Sequence, residues 1–318
     1  MNPSLPRIGG NAPSLTTASG STELAEALAL PALGFDRSCA GCHLPDCDLD
    51  LEKTLNCGQV FHWLPQGSGF VGAIGEVPVY LERSGRTLIT SADHIELAQT
   101  YLALDHSLPE ITATFPRDET MQAALKFCYG LRIARQPPWE CLASFITSAL
   151  KQIRHIRAIS LAIRRRFGPA LRLGSLEVHG YPTPEVLAAV ELSDLLECKL
   201  GFRARNLLAA ARMVADGVLD LEKLRGQPTN QARSELCQVP GVGEKIANCV
   251  LLFAYERLEV VPIDVWIRRG LQEIYFSSQA KVPGTELRSF SETYFGPYAG
   301  YAQQYLFHYW RLNYRKRR

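Results

Sequence analysis

Apolar residues recur with two different periods along this chain. Between residues 49 and 90, the runs 70–74, 77–81 and 86–89 are rich in β-branched and aromatic residues and are punctuated by Gly75 and Ser84-Gly85. Such runs predict short strands joined by tight turns, hence an antiparallel sheet. From residue 118 onward the period becomes that of an amphipathic helix. Helical patterns cover 118–131 and resume over 141–153, after the break Arg135-Gln136-Pro137-Pro138-Trp139-Glu140. A basic helical segment follows and is stopped by Gly168-Pro169, and Thr183-Pro184 opens another helix with a hydroxyl at the N-cap and Pro at the first position. Further patterns run over 230–236, 244–255 and 265–274. The expected class is therefore α+β, with an N-terminal antiparallel sheet followed by a mostly helical body. Residues 1–48 read as a flexible N-terminal segment, since 1–22 are dominated by Ser, Thr, Gly, Pro and Asn. Residues 49–117 form the expected β-rich domain, and 118–318 the helical one.

The most specific stretch runs from Leu236 to Asp264. Pro240-Gly241-Val242-Gly243 separates two helical patterns by so few residues that the helices must meet in a hairpin. A turn of this kind directs consecutive backbone N–H groups outward at a helix N-terminus, which suits a phosphate. Behind it Lys245 and Cys249, four apart, share one helix face. Val260-Val261-Pro262-Ile263 then leads to Asp264, which opens the next helix. An amine and a carboxylate thus stand at the starts of two consecutive helices beside a phosphate-binding turn.

Charge sharpens this picture. The net +2 conceals 6 Lys/Arg against 15 Asp/Glu in residues 1–120 and 28 against 17 in residues 121–318. A basic C-terminal body is the electrostatic footprint of a phosphate-backbone binder. Between Gly130 and Leu173 nine Lys/Arg face a single acid, Glu140, which favours a polyanion partner over a self-neutralised surface. The nine cysteines are odd in number and scattered, with no secretory signal ahead of them, so reduced thiols and a cytoplasmic (nucleoid) or nuclear location are expected. No run approaches the ~20 apolar residues of a membrane span. Cys39-x2-Cys42-His43-x3-Cys47 has zinc-ligand chemistry, but the usual second Cys/His pair at finger-like separation is missing, so no metal is assigned.

Taken together, the hairpin, Lys245 and Asp264 resemble the helix-hairpin-helix (HhH-GPD) DNA glycosylase superfamily, most closely the 8-oxoguanine DNA glycosylase/AP lyase family. The resemblance extends from Gly58-Gln59 to Phe307. Cys57-Gly58-Gln59-Val60-Phe61-His62-Trp63 is similar to the family's Gly-Gln-x-Phe-x-Trp segment, and Gly296-Pro297-Tyr298-Ala299-Gly300 with Gln303 and Phe307 is a second match. By resemblance, Lys245 is the Schiff-base nucleophile and Asp264 the catalytic carboxylate. Gly58 would offer its carbonyl to the proton on N7 of oxidised guanine. Cys249 and Phe307 would sandwich the flipped base, and Gln303 would bond its Watson–Crick edge. Phe202 would wedge into the duplex while Arg203 reads the orphaned base. Gly241 and Gly243 would hold a phosphate, with Lys151, Arg154 and His155 on the DNA side of the basic helix.

Two places depart from the family. A run of Asn that precedes the basic helix is replaced by Leu150-Lys151-Gln152, and a His two residues after the catalytic Asp is replaced by Trp266. The resemblance implies no required cofactor and allows a monovalent or divalent cation at the hairpin's backbone carbonyls. With no four-Cys cluster near the C-terminus, no iron–sulfur cluster is expected. The expected partner is double-stranded DNA containing an oxidised base, bound by a monomer, with no membrane.

The chemistry fits these residue types. Excision breaks an N-glycosidic bond through an oxocarbenium-like sugar, after the base has left the stack. A neutral amine can attack the anomeric carbon, and a carboxylate can stabilise the developing charge. A monofunctional glycosylase for alkylated bases would carry Asp264 without Lys245. A non-catalytic HhH damaged-DNA-binding protein would have no use for Asp264.

Overall fold

The computed structural model describes residues 39–43, 48–276 and 282–313. Five antiparallel strands form the N-terminal sheet: β1 (Cys39–His43), β2 (Leu64–Gln66), β3 (Gly69–Ile74), β4 (Val77–Ser84) and β5 (Thr87–Ser91), in the order β1-β5-β4-β3-β2. The three predicted runs are β3, β4 and β5. Strand β1 is a correction, because it lies inside the segment expected to be flexible and pairs with β5 from Cys39↔Ser91 to His43↔Thr87. The side chains of Cys39, Cys42, His43 and Cys47 lie outside the described residues.

Why the sheet forms where it does is visible in its core. Val79, Leu81 and Leu88 are fully buried in one cluster with Trp63, whose indole Nε1–H donates to the Tyr101 hydroxyl at 3.1 Å. Gly72 has to be glycine, since a Cβ there would stand 2.8 Å from the Trp63 ring.

Helix α1 (Leu51–Asn56) precedes β2, and α2 (Ile95–Tyr101) and α3 (Leu108–Ala113) follow β5. The body continues with α4 (Glu119–Cys128), α5 (Pro138–Ser148) and α6 (Ile153–Phe167). A hairpin then intervenes, β6 (Ala170–Leu173) paired with β7 (Leu176–His179), which the apolar pattern did not signal. After it come α7 (Pro184–Ala188), α8 (Leu192–Glu197), α9 (Arg203–Ala215), α10 (Thr229–Leu236), α11 (Glu244–Tyr255), α12 (Val265–Tyr275), α13 (Gly284–Tyr294) and α14 (Ala299–Asn313). A main apolar core runs through this body, centred on the wholly buried α11 residues Ala247, Val250, Leu251 and Leu252.

Sheet and body are joined by buried polar groups. Gln59 donates from Nε2 to the Thr54 and Arg132 carbonyls at 2.8 Å and accepts from the Ala134 amide at 2.9 Å. Gln136 returns a bond to the Gln59 carbonyl at 2.9 Å. Arg132, fully buried, donates to the carbonyls of Asp48, Ala103 and His106. These bonds hold the Asn56–Trp63 segment against the helical body.

The basic helix α6 needs a second correction. Its acids come from other elements: Arg164, fully buried, pairs with Glu140 of α5, and Arg166 pairs with Asp194 and Glu197 of α8. Arg157 donates to Asn56 Oδ1 at 2.6 Å. Burial pushes the Glu140 carboxyl up while Arg164 pulls it back, and burial with the Arg164 charge drives the His62 imidazole well below its usual range. His62 is therefore a neutral neighbour, 3.3 Å from Glu140. What remains open to a polyanion on this face is Lys151, Arg154, His155 and Arg165.

Candidate active site

The hairpin between α10 and α11 forms as its glycines require, but the two glycines do different work. Gly241 has φ +81°, and a Cβ there would meet the Asn206 side chain at 2.2 Å. Gly243, the N-cap of α11, is extended and exposed, and a Cβ there would meet nothing within 4 Å. No side chain caps α11, so its first-turn amides face outward without intrahelical partners. Buried Arg233 donates to Asn248 Oδ1 at 2.7 Å, and Asn248 donates to the Val261 carbonyl at 3.2 Å. That chain of bonds fixes the approach to Asp264 against the helix that carries Lys245.

Asp264 caps α12 by accepting from the Ile267 amide at 2.8 Å. Burial raises its carboxyl above the ordinary range, opposed by the Ile267 and Trp266 amides and the Lys245 charge. Lys245, half-buried, places Nζ 5.2 Å from the centroid of the Phe145 ring. One turn on, burial pushes the Cys249 thiol up to about 11, so it is a neutral, polarisable wall at neutral pH.

These groups line one open pocket of about 320 Å³, together with Gly58, Phe253, Pro262, Gln303, Gln304 and Phe307. Gly58 enters it with φ +96°, and a Cβ there would stand 2.5 Å from Ile153 and 3.4 Å from the Phe307 ring. Phe145 and Phe253 stack behind it, centroids 5.4 Å apart. The pocket thus unites Lys245, Asp264, Gly58, Cys249, Gln303 and Phe307, which are up to 249 positions apart in the chain. Phe145, Phe253, Pro262 and Gln304 were not singled out from the sequence. In a string of helical apolar residues, nothing separates a pocket phenylalanine from a core one.

The remaining predicted residues lie outside this lining. Leu150 is 87% exposed and left-handed at φ +55°, just past the end of α5. Phe202 is 59% exposed. Lys151, Arg154 and His155 are exposed, and Trp266 is half-buried beside the Arg269 guanidinium. Arg203 differs from expectation. It is only 4% exposed, its guanidinium turned inward onto the Ala149 and Leu200 carbonyls and 4.2 Å from the Phe202 ring centroid. A group expected to project toward an orphaned base is instead spent on the backbone that precedes Leu150.

A hairpin with open amides, a pocketed amine and a capping carboxylate define a class, the base-excision DNA glycosylases of the helix-hairpin-helix type. Residues 43–142 match the 8-oxoguanine DNA glycosylase N-terminal domain, and residues 143–293 match the HhH-GPD superfamily of base excision DNA repair proteins. A probable N-glycosylase/DNA lyase of Methanothermobacter thermautotrophicus is 31% identical over 308 residues, spanning 84% of this chain and 95% of the relative. The N-glycosylase/DNA lyase OGG1 of Arabidopsis thaliana is 28% identical, over 83% of this chain and 78% of its own. Among solved structures, an MBOgg1 complex with a low-affinity DNA ligand superposes with a TM-score of 0.82 at 30% identity, covering 86% of this chain and 96% of that one. The Clostridium acetobutylicum 8-oxoguanine glycosylase/lyase, bound to duplex DNA with cytosine opposite 8-oxoG, gives 0.80 at 29%, covering 84% and 93%. The chain belongs to the N-glycosylase/DNA lyase family of the HhH-GPD superfamily.

Proposed function

We propose that this protein excises 8-oxoguanine from duplex DNA and then cleaves the strand at the resulting site. The observation that carries the reading is the convergence of Lys245 and Asp264 on one pocket whose far wall is Gly58, Gln303 and Phe307. The flipped base enters between the Cys249 thiol and the Phe307 ring. Gln303, buried and with its Oε1 unpaired among the described residues, accepts from the N1–H of the base, while the Gly58 carbonyl accepts N7–H. Unmodified guanine has no proton at N7, so this wall selects against it.

Chemistry follows from the two groups at the mouth. The Lys245 amine in its neutral form attacks C1′, the glycosidic bond breaks, and the base leaves with the bonding pair and takes up a proton. Asp264 stands where positive charge develops on the sugar. Ring opening gives a Schiff base between Nζ and C1′. Loss of a C2′ proton then expels the 3′ phosphate by β-elimination, the lyase step. This sequence requires no cofactor. Phosphates meet the amides of Gly241 and Gly243, with room for a monovalent or divalent cation at the hairpin carbonyls, and Lys151, Arg154 and His155 flank them. The protein works as a monomer on DNA, in a nucleoid or nucleus.

Borohydride tests the reading directly. The wild type is expected to become covalently trapped on a duplex with one 8-oxoguanine. Lys245→Gln is expected to abolish trapping while still binding that duplex. Trapping that survives in the variant would assign the nucleophile to another amine.

A further inference from the structure

Gln303 and Gln304 are consecutive in α14, both line the pocket, and they are 4% and 3% exposed. Gln303 Oε1 has no hydrogen-bond partner among the described residues, and Gln304 Nε2 has none of normal geometry, its one polar neighbour being the Cys57 sulfur. Native interiors seldom retain an orphaned amide atom, so one on a pocket wall points to a ligand group that completes it. Gln303 has a role in the reading above; Gln304 has none.

The place of Gln304 on the wall narrows what it can meet. Its amide lies against the thiol of Cys57, the residue before Gly58. That thiol already donates its proton to the Thr54 carbonyl at 3.3 Å, and sulfur is a weak acceptor. The reversed amide would set Oε1 against a sulfur whose proton is committed, so Nε2 belongs on this side and keeps a proton free. Gln304 thus links Gln303 of α14 to the Cys57–Gly58 step on the pocket wall. On an oxidised guanine, the group between N1–H and N7–H is the C6 carbonyl.

We propose that Gln304 is a specificity-determining residue that donates from Nε2 to the O6 carbonyl of the flipped base. It selects purines with a carbonyl at C6, and so guanine-derived over adenine-derived lesions. An amino group at C6 would set donor against donor and leave both unpaired. The proposal rests on the pocket roles given to Gln303 and Gly58.

The test is equilibrium binding in the Lys245→Gln background, where chemistry is off, to three duplexes carrying 8-oxoguanine, 8-oxoadenine or a tetrahydrofuran abasic analogue. Adding Gln304→Leu is expected to weaken the 8-oxoguanine complex on the order of tenfold and leave the other two within about twofold. Its melting temperature should be unchanged or higher, because leucine removes a buried donor whose one neighbour is a weakly accepting sulfur. An equal loss on all three duplexes, no loss on 8-oxoguanine, or a lowered melting temperature would each make Gln304 a packing residue and overturn the proposal. If Lys245→Gln alone shows no preference for 8-oxoguanine over undamaged duplex, the substrate reading itself has failed. A preference that Gln304→Leu keeps intact sinks only the role of Gln304.

Discussion

Arg203 donates to the carbonyl of Ala149 through Nε, at 2.6 Å, and through Nη2 as well. The bond joins the start of α9 to the last residue before Leu150, so the two exposed apolar tips, Leu150 and Phe202, are carried on one tethered unit. Hydrogen bonds to a charged group are typically worth ~1.5–3 kcal/mol, enough to order a loop whose next residue is left-handed. Arg203→Ala is expected to slow single-turnover excision by a similar factor opposite all four bases, on the order of tenfold. A loss confined to the cytosine duplex would mean that the guanidinium leaves Ala149 on DNA and reads the orphaned base.

Leu150 occupies a conformation that suits asparagine, since a left-handed backbone costs most L-residues ~1–2 kcal/mol and Asn least. Excision opposite cytosine is expected, with weak discrimination against other opposite bases, because an apolar tip fills a gap without reading donors and acceptors. Leu150→Asn should raise the melting temperature slightly and sharpen the preference. Leu150→Ala should slow excision. A sharp cytosine preference unmoved by both substitutions would remove Leu150 from the gap.

Asp264 caps α12 and is proposed to be the catalytic carboxylate, two roles that separate by measurement. Asparagine still caps, so Asp264→Asn should lose roughly 100-fold or more in excision rate, the scale of a lost electrostatic group, with little loss of stability. Burial raises the folded-state carboxyl, so the folded protein holds that proton more tightly than the unfolded chain. The wild type therefore loses stability relative to Asp264→Asn as pH rises from the ordinary carboxylate range through the raised value. The stability difference should favour the variant at neutral pH and shrink on acidification. A difference of the opposite sign, or a near-wild-type rate, would leave Asp264 as a cap alone.

The two hairpin glycines predict opposite phenotypes. Gly241→Ala meets Asn206 and a left-handed backbone, and should lower the melting temperature by several degrees. Gly243→Val folds normally, since its backbone is extended and its surroundings open, but it crowds the space in front of the α11 amides. It should weaken binding to damaged and undamaged duplex about equally, as loss of a phosphate contact does. A loss limited to the lesion duplex would move this turn into the base pocket.

Much of this site was written in local spacing. Helix periodicity and turn chemistry placed Lys245 and Asp264 at the starts of consecutive helices behind a glycine hairpin, while their roles and those of Gly58, Cys249, Gln303 and Phe307 came from the family resemblance. Features that depend on distant partners were not legible. Glu140 and Arg164 neutralise each other from different helices, which made α6 look more basic than its surface is. Arg203 reads as an exposed arginine until Ala149 is placed beneath it. The strand Cys39–His43 is short and borrows its stability from β5, and the β6–β7 hairpin has no alternation strong enough to announce it. Gln304 is silent for another reason, because an unpaired donor exists only once every neighbour is known.

Gln59 links two tasks that the chain stores in separate places. In the proposed reaction, choice of lesion depends on the Gly58 carbonyl, presented from the N-terminal third, whereas scission depends on Lys245 and Asp264. The four hydrogen bonds at Gln59 hold the chooser at a set distance from the cutter. Loosening that brace would leave an enzyme still able to open ready-made abasic sites yet blind to the base it was meant to remove. In a cell such a variant would be a lyase without a sensor, and its harm would come from activity kept rather than activity lost.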